Sequence, residues 1–536
     1  MSLFKRLRQL LQQIRRILSR NVWAVRLLHL PPTGDGRGLV LIQIDGLSYT
    51  QFQKALDNRR LPFLKKQIQQ GFHGVKPMYS GVPSATPAFQ GELFYGVKSC
   101  VPAFEFIVRK ENQRHISFYP QSASYLARGL EKKGTPLLSR GHAYSTIFTG
   151  GAKEARYCSQ NMGLESIARS VNPLKLVLLI LMHAGKFLRI LTVTVIEFIL
   201  AVTDFFRGIA AGRKFVKELV FIPARIVICV ILRELIRFRI KMDVTRGVPI
   251  ICATFLGYDE QAHRRGPGSR FAHWSLKGID DAVKDICRAA NRSRNREYQL
   301  IIYSDHGQEA VTWYGTRFGV EVKDAIRHAY CDHQTDTQKK CHEASDNVLA
   351  GLYKKSRKFF LNQQFPEKFQ GELPVSLDNV QITTMGPLGH VYLPPIPTLE
   401  KIRAFADTLV RTVHIPLVFF QEHGRIIAVN VHGSFDLEHE CETVLGKDHP
   451  FAGQTARDLA GVCRHRNAGD IVISGWDPNG PPLSFNIESG AHGGPGREET
   501  RGVVILPKFM ETDKSFMRAL DLRHLVMEYM DISGKN

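Results

Sequence analysis

The chain has 536 residues, 44% of them hydrophobic and 23% charged. That composition is that of a globular protein rather than a disordered one, and the length suffices for one large domain with insertions or two to three domains of ordinary size. The net charge of +22 implies attraction to anionic surfaces: phospholipid headgroups, nucleic acid or phosphorylated substrates. Nine scattered cysteines with no C-x-x-C pair argue against a disulfide framework and a thiolate zinc site, and for a reducing compartment.

Residues 1–30 carry Lys5, Arg6, Arg8, Arg15, Arg16, Arg20 and Arg26 and no acid. On a helical wheel Leu3, Leu7, Leu10, Leu11, Ile14, Ile17 and Leu18 share one face and the basic residues the other, the pattern of a helix lying in a membrane interface. The plainer reading is an amphipathic helix docked on the protein's own core; it leaves the unmatched cations unexplained. Arginine interrupts the apolar run too often for a signal peptide, which places the expected membrane association on the cytoplasmic face.

Pro31-Pro32 and Gly34 to Gly38 lead into an apolar run, Leu39 to Ile44, that ends in Asp45-Gly46. Such a run reads as a buried parallel strand with a ligand at its carboxyl end. Thr86 comes next, in a Pro-Ser-Ala-Thr-Pro stretch before the helical-looking Ala88 to Tyr95. A hydroxyl at a helix N-terminus becomes a nucleophile when a divalent cation lowers its pKa, and the helix end helps to hold a phosphate. The alternative is a simple N-cap, and Ser84 is the second candidate nucleophile.

Residues 171–242 form an insertion. Lys175 to Arg207 is apolar around most of the wheel, its charges confined to a stripe of about 80° at 100° per residue. A break at Gly208 to Gly212 precedes a second helical stretch, which Pro223 is expected to bend. No segment reaches the uncharged length of an ordinary transmembrane span. The readings left are a helical hairpin sunk in one leaflet, a dimer interface or a buried core helix; a helix of this length is long for a core element.

Two further apolar runs, Val248 to Leu256 and Leu300 to Tyr303, lead into Asp259 and Asp305, with a helix expected over Ile279 to Ala290 between them. Asp259 and His263 are spaced i, i+4, which puts both on one face if the chain turns helically after the strand. Asp305-His306-Gly307 is the sharpest single signal, because a carboxylate and an imidazole at the end of an apolar strand are costly to place unless both bind something. His492 lies in Gly-Ala-His-Gly-Gly, where the glycines let the imidazole approach closely. His333, His342, His390 and His449 lack such a setting and read as structural or exposed. A polar stretch over Arg327 to Glu343 and strands such as Gly389 to Leu393 and Arg425 to Val431 suggest a small α+β unit before the last histidine.

Three carboxylates, three imidazoles and one hydroxyl make seven oxygen and nitrogen ligands, the set that two adjacent divalent cations need around a phosphate. Zn²⁺ suits the mixed His/Asp set best, with Mn²⁺ the alternative. In this order the motifs resemble the alkaline phosphatase superfamily, in particular its type I phosphodiesterase/nucleotide pyrophosphatase branch. GYDEQAHRRGPGS is similar to that branch's Asp-x-x-x-His…Gly-Pro motif and YSDHG to its strand-end Asp-His. The likeness covers residues 38–150 and 247–536; the GAHGGPG pattern departs from many relatives. It implies that Asp45, Thr86, Asp305 and His306 hold one metal and Asp259, His263 and His492 the other, with Thr86 as nucleophile. Threonine there looks more like the diesterase and transferase members than the serine monoesterases, and a cysteine would have suggested a sulfatase.

The expected fold is therefore α/β: an alkaline-phosphatase-like, mostly parallel sheet flanked by helices, with an inserted long helical hairpin and a small α+β cap subdomain. Its expected parts are the interface helix (1–30), the catalytic core in three pieces (38–170, 247–320, 481–536), the helical insertion (171–242) and the cap (321–480). The expected function is a membrane-associated phosphodiesterase or pyrophosphatase working through a phosphothreonine on a phosphate ester, lipid-linked or otherwise anionic. The alternatives are a phosphoryl or headgroup transferase on a lipid-linked substrate or an inactive membrane-surface scaffold, which should show gaps among the ligands; a homodimer through 171–242 is a further partner expectation. Nucleic acid is not an expected partner, because no binding motif supports one.

Overall fold

The computed structural model describes residues 20–109, 114–117, 120–161, 184–210, 215–333, 379–394 and 397–531. The expectations for residues 1–19, 171–183 and 334–343, His342 among them, fall outside these.

In chain order the strands of the first sheet are β1 (Gly36–Ile44), β2 (His73–Tyr79), β3 (His142–Tyr144), β4 (Glu154–Arg156), β5 (Ile250–Phe255) and β6 (Arg296–Tyr303). A second group comes after them: β7 (Gln381–Met385), β8 (Leu388–Tyr392), β9 (Leu417–Glu422), β10 (Arg425–Asn430), β11 (Gly433–Asp436) and β12 (Ile471–Ser474). β13 (Arg501–Pro507) and β14 (Met517–Arg518) then return to the first sheet. Its order is β14-β2-β13-β6-β1-β5-β3-β4. All neighbours in it are parallel except β13, which runs antiparallel to both β2 and β6.

The continuous apolar run of β1 has a direct structural meaning. Val40, Ile42 and Ile44 enter the core on one face, and Leu39 and Leu41 the core on the other. With a side-chain period of two, an unbroken apolar run is what a strand covered on both faces requires. Among the helices that pack on this sheet or close to it are α1 (Arg20–Leu27), α2 (Thr86–Tyr95), α3 (Ala184–Ala210), α4 (Phe215–Ile226), α5 (Arg233–Arg246), α6 (Gly257–Arg265), α7 (Arg270–Ala290) and α8 (Ala519–Tyr529). α7 covers the first face. Ser269 caps it by accepting from the Ala272 amide at 3.2 Å, and Ala272, Leu276, Ile279, Val283 and Ile286 recur every three or four residues on its buried side. Truncating Ile279 to alanine there would cost about 2–5 kcal/mol. α2 and α8 cover the other face through Phe89, Leu93, Leu522 and Val526.

The second sheet, order β7-β8-β12-β9-β10-β11, is antiparallel throughout. It too is covered on both sides: Val418 and Phe420 face the helix Leu399–Arg411, and Leu417 and Phe419 face the helix Ala452–Cys463.

One reading of the insertion changes: the expected break does not begin at Gly208, and α3 continues to Ala210. Gly208 is buried where α4 crosses, and a methyl group in place of its hydrogen would meet the Glu218 carboxylate, so the glycine serves close helix contact. Pro223 lies within α4, and the helical path carries on through a π turn, Val227–Leu232, into α5. No helix among the described residues is long and apolar enough to cross a membrane. Seven described cysteines are free thiols and Cys331 is disulfide-bonded, a departure from the expectation of reduced cysteines throughout.

Candidate metal centre

β6, β1 and β5 are adjacent and parallel, so their carboxyl ends deliver Asp305-His306, Asp45 and the start of α6 to one place. α6 begins at Gly257, directly after β5, which brings Asp259 and His263 onto one helical face, with His263 Nε2 3.3 Å from Asp259 Oδ2. Gly46 makes room for this arrangement. It sits at φ +72°, and a Cβ there would collide with the Asp259 carboxylate. Thr86 is the first residue of α2, and Ala85, extended and without a side-chain cap, is the N-cap. The Thr86 hydroxyl is thereby free of capping duty. Its Oγ1 lies 3.2 Å from His306 Nε2 and 3.4 Å from Asp45 Oδ1.

His492 comes from the loop after the short strand Gly490–Ala491, which pairs with Glu309–Ala310 just beyond His306. Its ring stacks on His306 at 3.7 Å between centroids and lies 4.9 Å from His263. All seven residues singled out in the sequence therefore meet. Two groups of potential ligand atoms each lie within 4.8 Å of one another: Asp259, His263 and His492, and Asp45, Asp259 and His306. Asp259 is common to both, so it stands between the two halves of the cluster rather than wholly within one.

The donor set passes a test for metal on its own chemistry. Each imidazole has Nδ1 anchored away from the cluster: His263 to Glu488 at 2.8 Å, His306 to the Gly307 carbonyl at 2.9 Å, and His492 to the Ser84 carbonyl at 2.9 Å. With Nδ1–H donating outward, the Nε2 of His306 and of His492 presents a lone pair inward, as a metal-ligating histidine does. Burial acts to lower His263, but Asp259 and Glu488 outweigh it and hold that imidazole well above its usual range. Both Asp305 oxygens are buried without a hydrogen bond of ordinary geometry. Burial first, and then Asp305 and Asp259, hold the Asp45 carboxyl well above its usual range. Burial likewise pushes Asp305 up to about 6. Burial also acts to raise Asp259, but His263 and His492 outweigh it and hold that carboxyl low. Burial lowers His306 to about 4 and, with His306 beside it, His492 to about 3, which keeps both imidazoles neutral and able to ligate. Crowded anionic oxygens and inward lone pairs are what one or two divalent cations relieve.

Several contributors carry no sequence signal. Gln308 donates to Asp259 Oδ1 at 2.5 Å. Glu488 orients His263. Glu498 accepts from Ser48 and Thr50 at 2.7 Å each, and so ties the loop after β1 to the loop before β13. Ser84 is not placed as a nucleophile: its Oγ accepts from the Gly493 amide at 2.9 Å and lies 2.9 Å from both Glu499 Oε2 and the Gly494 carbonyl. It clamps the loop that carries His492. His390 and His449 are buried and bonded to backbone, to the Pro102 carbonyl at 3.4 Å and the Pro495 carbonyl at 2.9 Å; His333 ends the helix Val322–His333.

Residues 243–393 match the family model of type I phosphodiesterase / nucleotide pyrophosphatase. That stretch contains Asp259, His263, Asp305 and His306, and the resemblance drawn from the motifs stands there. The match supports hydrolysis of phosphoric esters. No curated protein sequence matches the chain. Among solved structures, human ectonucleotide pyrophosphatase / phosphodiesterase 5 aligns over 93% of this chain and 96% of its own, at 9% identity and a TM-score of 0.48. Phosphonoacetate hydrolase from Sinorhizobium meliloti 1021, in complex with phosphonoformate, aligns over 93% and 97%, at 11% identity and a TM-score of 0.45.

Proposed function

We propose that this protein is a metal-dependent phosphoric diester hydrolase in which Thr86 is the nucleophile. The observation that carries the reading is the convergence of Asp45, Thr86, Asp259, His263, Asp305, His306 and His492, from five separate segments, around one small volume. Asp45, Thr86, Asp305 and His306 would hold one divalent cation and Asp259, His263 and His492 a second, with Asp259 facing both. Zn²⁺ fits this oxygen and imidazole set. When bound, such ions supply Lewis-acid stabilisation of the phosphoryl oxygens and a lowered pKa for a ligating hydroxyl.

The chain's own residues do the rest. Thr86, at the start of α2, presents Oγ1 to a phosphoryl group resting at the positive end of that helix. The Thr86 hydroxyl gives up its proton and a new bond forms from Oγ1 to phosphorus while the bond to the leaving ester oxygen breaks. The departing alcohol takes up a proton, and the other ester group stays on phosphorus, giving a phosphothreonine diester that water later releases as a phosphate monoester. Water then attacks phosphorus, Thr86 Oγ1 departs, and the hydroxyl is restored. Glu488, the Gly307 carbonyl and the Ser84 carbonyl keep the three imidazoles oriented throughout.

The reading extends to a peripheral membrane location on the cytoplasmic face, on the strength of the +22 net charge and the acid-free basic segment before α1. Hydrolysis of bis-p-nitrophenyl phosphate, set against p-nitrophenyl phosphate with and without chelator, tests the chemistry. The diester should be preferred, chelation should abolish turnover, and Thr86→Ala should lower kcat by roughly 10³-fold or more at unchanged melting temperature. A Thr86→Ala enzyme that keeps its rate removes the nucleophile; turnover that survives chelation removes the metals.

A further inference from the structure

The helical layer α3–α4–π turn–α5 has the polarity opposite to that of a helix pair built for water. Twelve of the eighteen large hydrophobic side chains exposed among the described residues lie between Leu188 and Leu235. α3 presents Leu191, Phe198 and Phe206 to the outside, and Phe215, Leu219 and Ile231 continue the surface at multiples of four residues along α4 and the π turn. The acidic groups of the same helices and Arg225 point inward, while Arg189 and Arg207 are exposed. Arg225 pairs with Glu197 at 2.9 Å, and Trp274 of α7 donates to the other Glu197 oxygen at 2.8 Å. Arg265 reaches Asp204 at 2.5 Å and Glu218 at 3.0 Å, and Arg264 also pairs with Glu218. Glu197, Asp204, Glu218 and Arg225 are all buried. An apolar face of this extent marks an interaction site rather than a solvated surface.

Charge selects the occupant. A second copy would bring another +22 against this face, whereas an anionic leaflet brings the opposite sign. The approach to the same layer is cationic as well. α1 packs on α5 through Ala24 and Met242, and the sequence leading into α1 supplies Lys5, Arg6, Arg8, Arg15 and Arg16 with no acid. No described helix is a membrane span, so the contact is one of lying on a leaflet rather than crossing it.

The layer also grips the helix that carries two cluster residues. Cys229 of the π turn touches the Gly257 carbonyl at 3.6 Å and accepts from Gln261 at 3.5 Å, while Arg264 and Arg265 tie the other end of α6 to α3 and α4. We propose that the outward face of α3 and α4 beds in the acyl layer of an anionic lipid leaflet and, through α6, holds the cluster against that surface, where it acts on phosphodiesters borne by lipid. The substrate half of this inference rests on the proposed function; the docking half does not.

The test uses the full chain, sedimented with vesicles of phosphatidylglycerol and phosphatidylcholine, and with phosphatidylcholine alone. Wild type should sediment with the anionic vesicles. The triple variant Leu191→Asn, Phe198→Asn, Phe206→Asn should lose at least tenfold in vesicle binding, keep its melting temperature, and hydrolyse bis-p-nitrophenyl phosphate within twofold of wild type. Its hydrolysis of vesicle-borne phosphatidylglycerol should fall at least tenfold. Equal vesicle binding by the triple variant overturns the proposal. So does a wild-type dimer in sedimentation velocity that the triple substitution splits while neither protein binds vesicles, since the face then belongs to a second copy. Wild type that binds only after deletion of residues 162–183 assigns the face to that segment and overturns it too. Vesicle binding through this face by a protein with no diesterase activity removes the proposed reaction and leaves the docking intact.

Discussion

The cluster and the helical layer both bury acids, and they balance them in opposite ways. In the layer, arginines answer Asp204, Glu218 and Glu197 at hydrogen-bond distance. In the cluster, the ion pairs described for Asp45, Asp259 and Asp305 are all to histidines, at 3.3 to 4.0 Å, and two of those imidazoles are held neutral by burial. Buried carboxylates matched by guanidinium are complete as they stand. Buried carboxylates matched mainly by imidazoles, two of them neutral, leave anionic charge that an added cation would balance. One difference in partner type thus separates a structural ion network from a candidate metal centre.

The contrast can be broken most directly by removing one acid from each region and melting the protein in chelator. Glu218→Gln strips Arg264 and Arg265 of a buried partner and should destabilise by about 3 kcal/mol. Asp305→Asn removes a charge that burial already pushes up to about 6, so the metal-free protein should melt at the same temperature or higher, with turnover lost. Equal destabilisation by the two would erase the distinction. A smaller effect sharpens it: Glu488→Gln leaves every proposed ligand in place but weakens the anchor on His263 Nδ1, and should lower metal affinity by about 10–100-fold in a competitive chelator titration. No change in affinity would reduce Glu488 to a bystander.

The least effect comes from a third kind of buried acid, one held by amides rather than by a cation. Glu499 accepts from Gly494 and Gly496 at 2.8 Å each, and Glu498 donates its amide to Glu309 at 2.6 Å. Burial pushes Glu499 up to about 7, and burial together with Glu499 pushes Glu309 up to about 8. Because both folded values exceed the unfolded ones, the folded protein binds these protons more tightly. Their stabilisation is fully present below about pH 4.3 and is lost as pH rises through 7 and 8. The melting temperature should fall by a few degrees between pH 5 and 8.5, and a flat or rising profile would contradict the assignment.

What could be read in advance depends on how locally each feature is encoded. The apolar runs before Asp45, Asp259 and Asp305 announce strands because a strand covered on both faces must be apolar at every position, and each ends where the chain emerges at the sheet's carboxyl edge. The Asp259/His263 spacing needed only a helix start after β5, which Gly257 supplies. Gly208 was misleading because the same residue that ends helices also permits close crossing, and the crossing partner, Glu218, is known only once α4 has folded back. Glu488 and Gln308 had no local mark at all, and Ser84 was marked only as a candidate nucleophile, since each acquires its role from a neighbour far along the chain. The inverted polarity of α3 and α4 was half visible. The narrow charged stripe is in the sequence, but the inward direction of its acids is set by Arg264, Arg265 and Trp274.

The position of β13 has a consequence for biosynthesis. In the first sheet β2 reaches β6 only through β13, residues 501–507, and His492 precedes β13 by a few residues. A ribosome must therefore release the chain through Pro507 before the sheet can close, and through His492 before the cluster can assemble. Until then the facing edges of β2 and β6 wait unpaired, a state prone to sticking to other nascent chains. Premature termination anywhere upstream of Arg501 leaves the sheet divided in two.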